Sequence, residues 1–351
     1  MLEVCSGEAS LSAVDQEEAQ KVAAPWWTSY FFGDLIRQYA RLVIRPPRAT
    51  YTNTALGPKI FELSGKSFQR EDLQLTSSRG HNLCCSFYHP NEAHERARPC
   101  VIYLHGNCGN RLDAFTILPN LLPQGINIFS WDFAGCGQSG GDYISMGVHE
   151  EEDLKLVLRH LRQTGLCSSV ALWGRSMGAC VAMMRAAKGE NLVACVLDSP
   201  YRDFHEVAQE LVGEKLPLPG FMFELGWQAV CDYVRDEAEF DPDDIMPLKY
   251  APLAKCPALF AVARDDTQVL PHHTPELKDL WGGPSKISVF DGGHNGARPS
   301  WFLIEATEFL TQCFRMPLPM DGNAALNPGG GSRHVAPPPG AAFAVRSVLP
   351  L

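Results

Sequence analysis

Short apolar runs alternate with amphipathic stretches along most of this chain. The apolar runs have the length of β-strands and lie at residues 99–105, 126–131, 170–174, 192–197, 258–263 and 286–290. Between and after them, apolar residues recur at helical spacing, at residues 111–122, 149–164 and 300–313. Ahead of the first run, residues 71–75 and 83–88 flank Gly80 and predict an antiparallel hairpin. The alternation predicts an α/β protein with a mostly parallel central sheet and helices on both faces.

Composition divides the chain into four segments. Residues 1–24 have low hydrophobicity, which predicts an unstructured N-terminal segment. Residues 25–45 predict a helix rich in aromatic residues and arginines, and residues 46–314 predict one domain in which 201–257 form a small helical cap. Residues 315–351 are rich in Gly, Pro and Ala, which predicts a low-complexity tail.

The predicted helix at 25–45 has five aromatic side chains within residues 26–32 and arginines at positions 37, 41 and 45. Such a helix either packs across the domain and buries its aromatic residues, or lies in a membrane surface. Soluble monomers rarely leave so large an apolar patch in water. We predict packing against the domain, because Pro46 and Pro47 join the helix to it with little slack. Peripheral membrane contact is the alternative.

The motif Gly174-Arg-Ser176-Met-Gly178 lies where an apolar strand-like run meets a helix-like run of small residues. This is the pattern of a nucleophile elbow, in which a strained serine at a sharp strand-to-helix turn needs small residues two positions away on either side. The five letters alone are a weak signal, so the prediction depends on the flanking elements and on partners further along the chain. We predict Ser176 as the nucleophile, with Gly174 and Gly178 as the small residues.

A serine hydroxyl needs an imidazole and a carboxylate in order to act as a nucleophile near neutral pH. Asp266 and His294 each follow a strand-like run, and the order serine, acid, histidine is the one expected of an α/β-hydrolase. Asp265 is the alternative acid. We prefer Asp266 because it precedes a valine by three positions, as in the Asp-x-x-Val turn usual for this acid. The pair His272–His273 is the alternative base, and we expect these two to be surface residues at the start of a helix.

An oxyanion hole requires two backbone N–H groups, one from the residue after the nucleophile and one from the loop after an earlier strand. Met177 and Asn107 occupy these places. A plain strand-ending turn is the alternative interpretation of His105-Gly106. The glycine-rich residues 135–141 have the composition of a phosphate-binding loop. No Gly-Lys-Ser/Thr sequence follows them, so we predict a tight turn beneath the active site instead.

Charge and cysteine content limit the partners. The chain of 351 residues has a formal net charge of −10 and no lysine-rich run, which argues against a nucleic acid as partner. Its 12 cysteines include no C-x-x-C pair, and several lie in apolar runs typical of buried thiols in a reducing compartment. The N-terminal residues lack the pattern of a signal peptide, so we expect a cytoplasmic protein. The motifs require no metal, no cofactor and no obligate partner.

Five short motifs resemble those of one protein family. The patterns I-R-P-P-R-A, C-V-I-Y-x-H-G-N, L-W-G-R-S-M-G, V-L-D-S-P and L-P-H-H occur at residues 44–49, 100–107, 172–178, 196–200 and 270–273. Over residues 40–314 the chain resembles the α/β-hydrolase superfamily, and within it the plant-type members of the intracellular serine-aminopeptidase-like group. That group is similar to the thioesterases that remove palmitate from proteins. The chain departs from those thioesterases in having only Cys5 where they have a cysteine-rich N-terminus.

The resemblance implies the α/β-hydrolase fold and the chemistry of a serine hydrolase. We therefore expect an enzyme that cleaves carboxylic esters or thioesters through an acyl-enzyme intermediate, with acylated proteins or lipids among the substrates. An amidase or peptidase is one alternative, since the same triad serves all these reactions. A non-catalytic binding protein with this fold is another, although such proteins normally lack a residue of the triad.

Overall fold

One mixed sheet forms the centre of the structure. The computed structural model describes residues 26–91, 97–215 and 219–316, and of residues 26–32 and 215 it describes the backbone alone. The strands of the described residues are β1 Ile60–Leu63, β2 Lys66–Thr76, β3 Asn82–Pro90, β4 Arg98–Leu104, β5 Asn127–Trp131, β6 Cys167–Arg175, β7 Cys195–Asp198, β8 Ala258–Ala263 and β9 Ser285–Phe290. The segment predicted at 1–24 and, beyond residue 316, the tail predicted at 315–351 lie outside the described residues.

The sheet is antiparallel at one edge and parallel elsewhere. Its strand order is β1-β2-β3-β5-β4-β6-β7-β8-β9, and strands β5, β4, β6, β7, β8 and β9 pair in parallel. Strands β1, β2 and β3 pair antiparallel, and β2 and β3 form the predicted hairpin around Gly80. Strands β5 and β8 are buried along their whole length, as expected of parallel strands that helices cover on both faces. The predicted mostly parallel sheet is confirmed.

Helices follow most of the parallel strands. The α-helices of the described residues are α1 Trp26–Ile44, α2 Leu118–Leu121, α3 Val148–Thr164, α4 Met177–Ala186, α5 Phe204–Lys215, α6 Gly220–Ala238, α7 His273–Leu280 and α8 Ser300–Arg315. Helix α3 ends where Gly165 adopts the left-handed conformation with φ of 67°. Helices α5 and α6 lie in the insertion between β7 and β8, where the sequence predicts a helical cap.

The predicted helix at residues 111–122 is broken into three short pieces. A 3₁₀-helix at Arg111–Thr116 is followed by α2 and then by a 3₁₀-turn at Leu122–Gln124. Pro119 and Pro123 each stand at the start of a new piece. Proline has no backbone N–H to donate and its ring clashes with the preceding turn, so helical spacing of the apolar residues is not enough to form one continuous helix.

Helix α1 packs along α6. Its Ala40 and Ile44 are fully buried in the core, and Ile36 and Val43 pack against that core. Tyr39 lies on another face of the helix and is nearly half exposed, so the helix does not bury all of its aromatic residues. None of the helices in the described residues is both long enough and apolar enough to cross a bilayer.

Candidate active site

Ser176 lies at the turn between β6 and α4, at the edge of the sheet where the parallel strands end. Its backbone has φ of 53° and ψ of −121°, a conformation that costs energy for any residue with a side chain. The neighbouring strand holds this turn, because the Ser176 N–H donates to the carbonyl oxygen of Asp198 at 2.7 Å. The strand, the strained serine and the helix together have the geometry of the predicted nucleophile elbow.

The two glycines of the motif allow chain segments to touch. A Cβ atom on Gly174 would overlap the carbonyl oxygen of Gly178, on the far side of the turn. A Cβ atom on Gly178 would overlap the carbonyl oxygens of Leu104 and His105 at the end of β4. Both close approaches involve backbone atoms, which cannot rotate away. The glycines therefore let the turn close and bring the loop after β4 against the first turn of α4.

The side chains of Ser176, His294 and Asp266 form one hydrogen-bonded chain. His294 Nε2 lies 2.9 Å from Ser176 Oγ, and His294 Nδ1 lies 2.7 Å from Asp266 Oδ2. The carboxylate oxygen requires that Nδ1 carry a proton, which leaves Nε2 free to accept the serine proton. All three residues are at least nine-tenths buried. A base and an orienting acid are thus in line with the serine hydroxyl, as general-base activation requires.

Asp266 is fixed on its other side by its own turn. Its Oδ1 accepts the backbone N–H groups of Gln268 and Val269, each at 2.9 Å, so both carboxylate oxygens are engaged. Asp265 is exposed, and its carboxylate accepts the N–H of Gly292 at 3.1 Å, in the loop that leads to His294. The structure therefore brings Asp266, and not Asp265, to the imidazole.

The alternative histidines lie in a different cluster. His272 and His273 each contact one carboxylate oxygen of Glu210 on α5, at 2.7 and 2.9 Å. The expectation that both are surface residues is wrong for His273, which starts α7 but is fully buried. Helix α7 packs against β8 and β9 and against the turns at Pro247–Lys249 and Ala251–Leu253, and these contacts join segments that are not adjacent in sequence. Together with Glu210 the two histidines have ligand atoms close enough to hold a metal ion, as do Cys231, Asp241 and Asp243.

His105 fixes the peptide group that precedes Asn107. Its Nε2 accepts the N–H of Phe133 at 3.0 Å, so Nδ1 carries the proton and donates to the Gly106 carbonyl oxygen at 2.7 Å. Burial lowers the pKa of His105, which keeps the ring neutral and this tautomer in place. Gly109 N–H also donates to the Gly106 oxygen, at 3.0 Å. Because a trans peptide directs N–H and C=O to opposite sides, the Asn107 N–H points away from these contacts.

The geometry around Ser176 leaves two backbone donors near the nucleophile. A Cβ atom on Gly106 would lie 3.7 Å from Ser176 Cβ, so the loop that carries Asn107 borders the serine. Met177 is the first residue of α4, and its N–H has no carbonyl partner within the helix. The positive end of the α4 dipole adds to the field at this point. The predicted oxyanion-hole residues are thus on either side of Ser176.

The glycine-rich residues 135–141 form a tight turn around Asp132. The Asp132 carboxylate accepts the N–H of Arg111 at 2.8 Å, the N–H of Gln138 at 2.9 Å and the hydroxyl of Tyr51 at 2.6 Å. A Cβ atom on Gly137 would overlap this carboxyl group. A loop that closes on a buried carboxylate repels a phosphate, so the geometry favours a structural turn over an anion site.

Two arginines hold the loop of His294, and sequence analysis did not identify either of them. Arg175 donates to the carbonyl oxygens of His294 and Gly296, at 2.6 and 3.1 Å. Arg298 donates to the carbonyl oxygens of Gly293 and Gly296, at 3.2 and 3.1 Å. Arg298 is itself anchored by a bidentate pair with Asp198, at 2.7 and 2.9 Å. Arg175 lies within the elbow motif, which is the only local signal; Asp198, the ion-pair partner of Arg298, is 100 residues away in the sequence.

We expect Arg298→Gln to lower the free energy of unfolding by about 3–5 kcal/mol, as for other buried ion pairs that lose one partner. Asp198 is 2% exposed, and the substitution would leave its charge buried without compensation. Urea denaturation measures the change. The matched control is Arg264→Gln, because Arg264 pairs with Asp291 on the surface, where both side chains are mostly exposed. Equal stability losses in the two variants would contradict the assignment of Arg298 as a buried anchor.

Comparison with known proteins supports an α/β-hydrolase fold. Residues 95–224 match the model of the family described as serine aminopeptidase, S33. The esterase Pf2001 of Pyrococcus furiosus superposes with a TM-score of 0.59 at 22% identity, over 77% of this chain and 98% of the esterase. Est1E of Butyrivibrio proteoclasticus, in a complex with ferulic acid, superposes with a TM-score of 0.55 at 19% identity, over 69% of this chain and 99% of Est1E.

Two relatives match at the level of sequence. The uncharacterized protein YqkD of Bacillus subtilis is 24% identical over 199 residues, which is 56% of this chain and 64% of YqkD. The lysophosphatidylserine lipase ABHD12 of Danio rerio is 26% identical over 197 residues, which is 53% of this chain and 48% of the lipase. The match thus spans less than two thirds of the length of either relative. The chain has the α/β-hydrolase fold, as its motifs predict, and part of its sequence is similar to the family described as serine aminopeptidase, S33.

Proposed function

We propose that the protein is a serine hydrolase that cleaves carboxylic esters or thioesters through an acyl-enzyme intermediate. The observation that carries the proposal is the hydrogen-bonded chain from Ser176 through His294 to Asp266, with contacts of 2.9 and 2.7 Å. The esterases and the lipase among the similar proteins support hydrolysis of an ester bond. Three side chains from three separate loops rarely adopt this arrangement without a chemical use.

The geometry supports a two-step reaction. His294 Nε2 takes the proton of Ser176 as Oγ attacks the substrate carbonyl, and the backbone N–H groups of Met177 and Asn107 stabilise the oxyanion. The carbonyl re-forms, and the alcohol or thiol leaves with the proton that His294 held. Water then attacks the acyl-enzyme in the same manner and releases the carboxylic acid and Ser176. The Asp266 carboxylate stabilises the imidazolium in both steps.

An amidase or peptidase uses the same groups, and the match to a family described as serine aminopeptidase favours it as the second candidate. An aminopeptidase must bind the charged amino group of its substrate, which calls for a free carboxylate near the nucleophile. Asp198 lies next to the elbow but already forms a bidentate pair with Arg298. We therefore prefer ester or thioester substrates.

We expect a fluorophosphonate probe to label the wild-type protein at one residue and to leave Ser176→Ala unlabelled. Intact-mass spectrometry measures the adduct. The control is Ser199→Ala, because Ser199 also has a positive φ and is buried at the end of a neighbouring strand, but its hydroxyl contacts Asp198 and Arg298 and no histidine. Labelling of Ser176→Ala at the wild-type level would contradict the proposal. The rates at which the wild type hydrolyses an ester, a thioester and an amide of the same acyl chain then decide between the candidate functions.

A further inference from the structure

Six large apolar side chains point outward from the two neighbouring helices α1 and α6. We call this surface the α1–α6 face. Its members are Leu35, Tyr39, Leu42, Phe221, Met222 and Leu225. Phe221 and Leu225 are the most exposed large apolar residues of the described chain, at 75% and 74%. Single exposed apolar residues need no explanation, but a cluster on adjoining helices indicates a surface that something covers.

The core does not account for this cluster, because each helix already buries a different face. Helix α1 buries Ala40 and Ile44, whereas Leu35, Tyr39 and Leu42 recur at intervals of four and three residues along its outer side. Helix α6 buries Trp227, Cys231 and Val234, whereas Phe221 and Leu225 stand at its outer N-terminal end. The two helices pack against each other, so these exposed residues lie on neighbouring elements of the surface.

The basic residues of α1 point to the occupant of the α1–α6 face. Residues 26–48 contain four arginines and one aspartate, a local charge of +3, whereas α6 contains one arginine and four acidic residues, so the positive charge of the face lies on α1. Arg37, Arg41 and Arg45 are exposed and alternate with the apolar residues of α1. Asp34 pairs with Arg37 and Asp142 with Arg45, both on the surface, where such pairs are weak. Arginines interleaved with apolar side chains on a helix match an anionic phospholipid surface, which offers negative headgroups above an apolar layer.

The C-terminal end of α1 borders a cleft beside the candidate active site. Ile44, the last residue of α1, accepts the N–H of Ile144 at 2.8 Å and lines a cleft together with Pro46 and Arg48. Asn107, the loop residue of the predicted oxyanion hole, lines the same cleft. Helix α6 belongs to the insertion that follows β7, at the edge of the sheet where Ser176 lies. The C-terminal end of α1 is therefore close to the loop that borders the nucleophile.

We propose that the α1–α6 face binds the surface of a bilayer that contains anionic phospholipid, and that this contact gives the enzyme access to esters embedded there. Binding to the bilayer depends on the apolar and basic residues of the face and not on catalysis. Access to embedded esters rests on the proposed function. The two parts therefore have separate readouts.

Flotation of the full chain with vesicles tests the binding. The probes are vesicles of phosphatidylcholine alone and of phosphatidylcholine mixed with phosphatidylserine. We expect the wild type to float with the mixed vesicles, and the double variant Phe221→Glu/Leu225→Glu to lose at least about tenfold in partition, because it removes apolar contact and adds negative charge. The matched control is Ile60→Glu/Ile304→Glu, which changes two exposed apolar residues outside the face and adds the same charge. It should float as the wild type does.

A second double variant separates the effect of charge on binding from any effect on folding. Arg37→Gln/Arg41→Gln keeps the apolar residues and should weaken flotation with the mixed vesicles, with little effect on phosphatidylcholine alone. Melting temperatures of all variants should match that of the wild type, since every changed side chain is exposed. Wild-type protein that stays with the soluble fraction for both vesicle types would overturn the proposal. So would a dimer in solution that Phe221→Glu/Leu225→Glu dissociates without any flotation, because a second copy would then cover the face.

Two substrates separate this proposal from the proposed function. A water-soluble p-nitrophenyl ester should be hydrolysed equally by the wild type and Phe221→Glu/Leu225→Glu, whereas an ester embedded in mixed vesicles should be hydrolysed about tenfold more slowly by the variant. If the variant hydrolysed both substrates more slowly by the same factor, the proposed access to embedded esters would be overturned. Flotation without hydrolysis of either substrate by the wild type would overturn the proposed function and leave the membrane contact supported.

Discussion

We expect Ser176→Ala to lower the turnover of an ester substrate by about 10⁶-fold, and His294→Ala to cost about as much. Members of a triad act as a unit, so losing the nucleophile or the base removes nearly all of their joint contribution. The loss corresponds to roughly 8 kcal/mol of transition-state stabilisation. The rate of release of p-nitrophenol from a short acyl ester, followed at saturating substrate, measures it.

The control for this prediction is that the losses of turnover in the two single variants do not add in the double variant. The double variant Ser176→Ala/His294→Ala should be no slower than either single variant, because the two groups work in one step. Ser199→Ala should keep near-wild-type turnover, since its hydroxyl has no contact with His294. If Ser176→Ala retained a tenth of the wild-type activity, the nucleophile would be another group.

Local chemistry explains why the sequence was informative about the elbow. Only glycine can stand at positions 174 and 178, where a Cβ atom would overlap backbone oxygens, so the constraint leaves a signature of a few adjacent letters. The strand-like runs before Asp266 and His294 predict that both lie at the edge where parallel strands end. In the structure their side chains lie within hydrogen-bond distance of each other and of Ser176. Their catalytic roles stay predictions.

Contacts between distant segments explain what the sequence did not reveal. Arg298 and Asp198 are 100 residues apart, and although Asp198 lies in the V-L-D-S-P motif, no local pattern indicates that the two residues pair. The burial of His273 likewise depends on segments that are distant in the sequence, among them the Glu210 side chain of α5. The prediction of one helix at 111–122 was wrong for a local reason. Its two prolines interrupt the helix although the apolar residues have helical spacing.

The apolar content of helix α1 does not predict which of its faces is buried. Apolar residues occur on more than one of its faces, so the sequence could not decide which face meets the core. The structure shows Ala40 and Ile44 buried and Leu35 and Leu42 exposed. The predicted packing and the alternative of membrane contact thus fall on different faces of one helix, and the flotation experiment tests the second of them.

The second large effect on turnover is expected at Asp266, the acid of the candidate triad. We expect Asp266→Asn to lower turnover by about 10⁴-fold, because an amide can donate to Nδ1 and so stabilises the wrong tautomer of His294. That tautomer carries its proton on Nε2 and cannot accept one from Ser176. The backbone N–H groups of Gln268 and Val269 hold the side chain at position 266, so the fold should be retained. Steady-state kinetics on the short acyl ester and a thermal melt of the same sample measure both properties.

Asp265→Asn is the matched comparison, since it makes the same change one residue away. Its carboxylate is exposed and accepts the N–H of Gly292, so an amide oxygen at the same place preserves the contact. We expect turnover within about threefold of the wild type, as for most surface substitutions. A crippled Asp265→Asn beside a nearly active Asp266→Asn would show that His294 turns to the other acid during the reaction. The contact of 2.7 Å between His294 and Asp266 would then describe a resting arrangement.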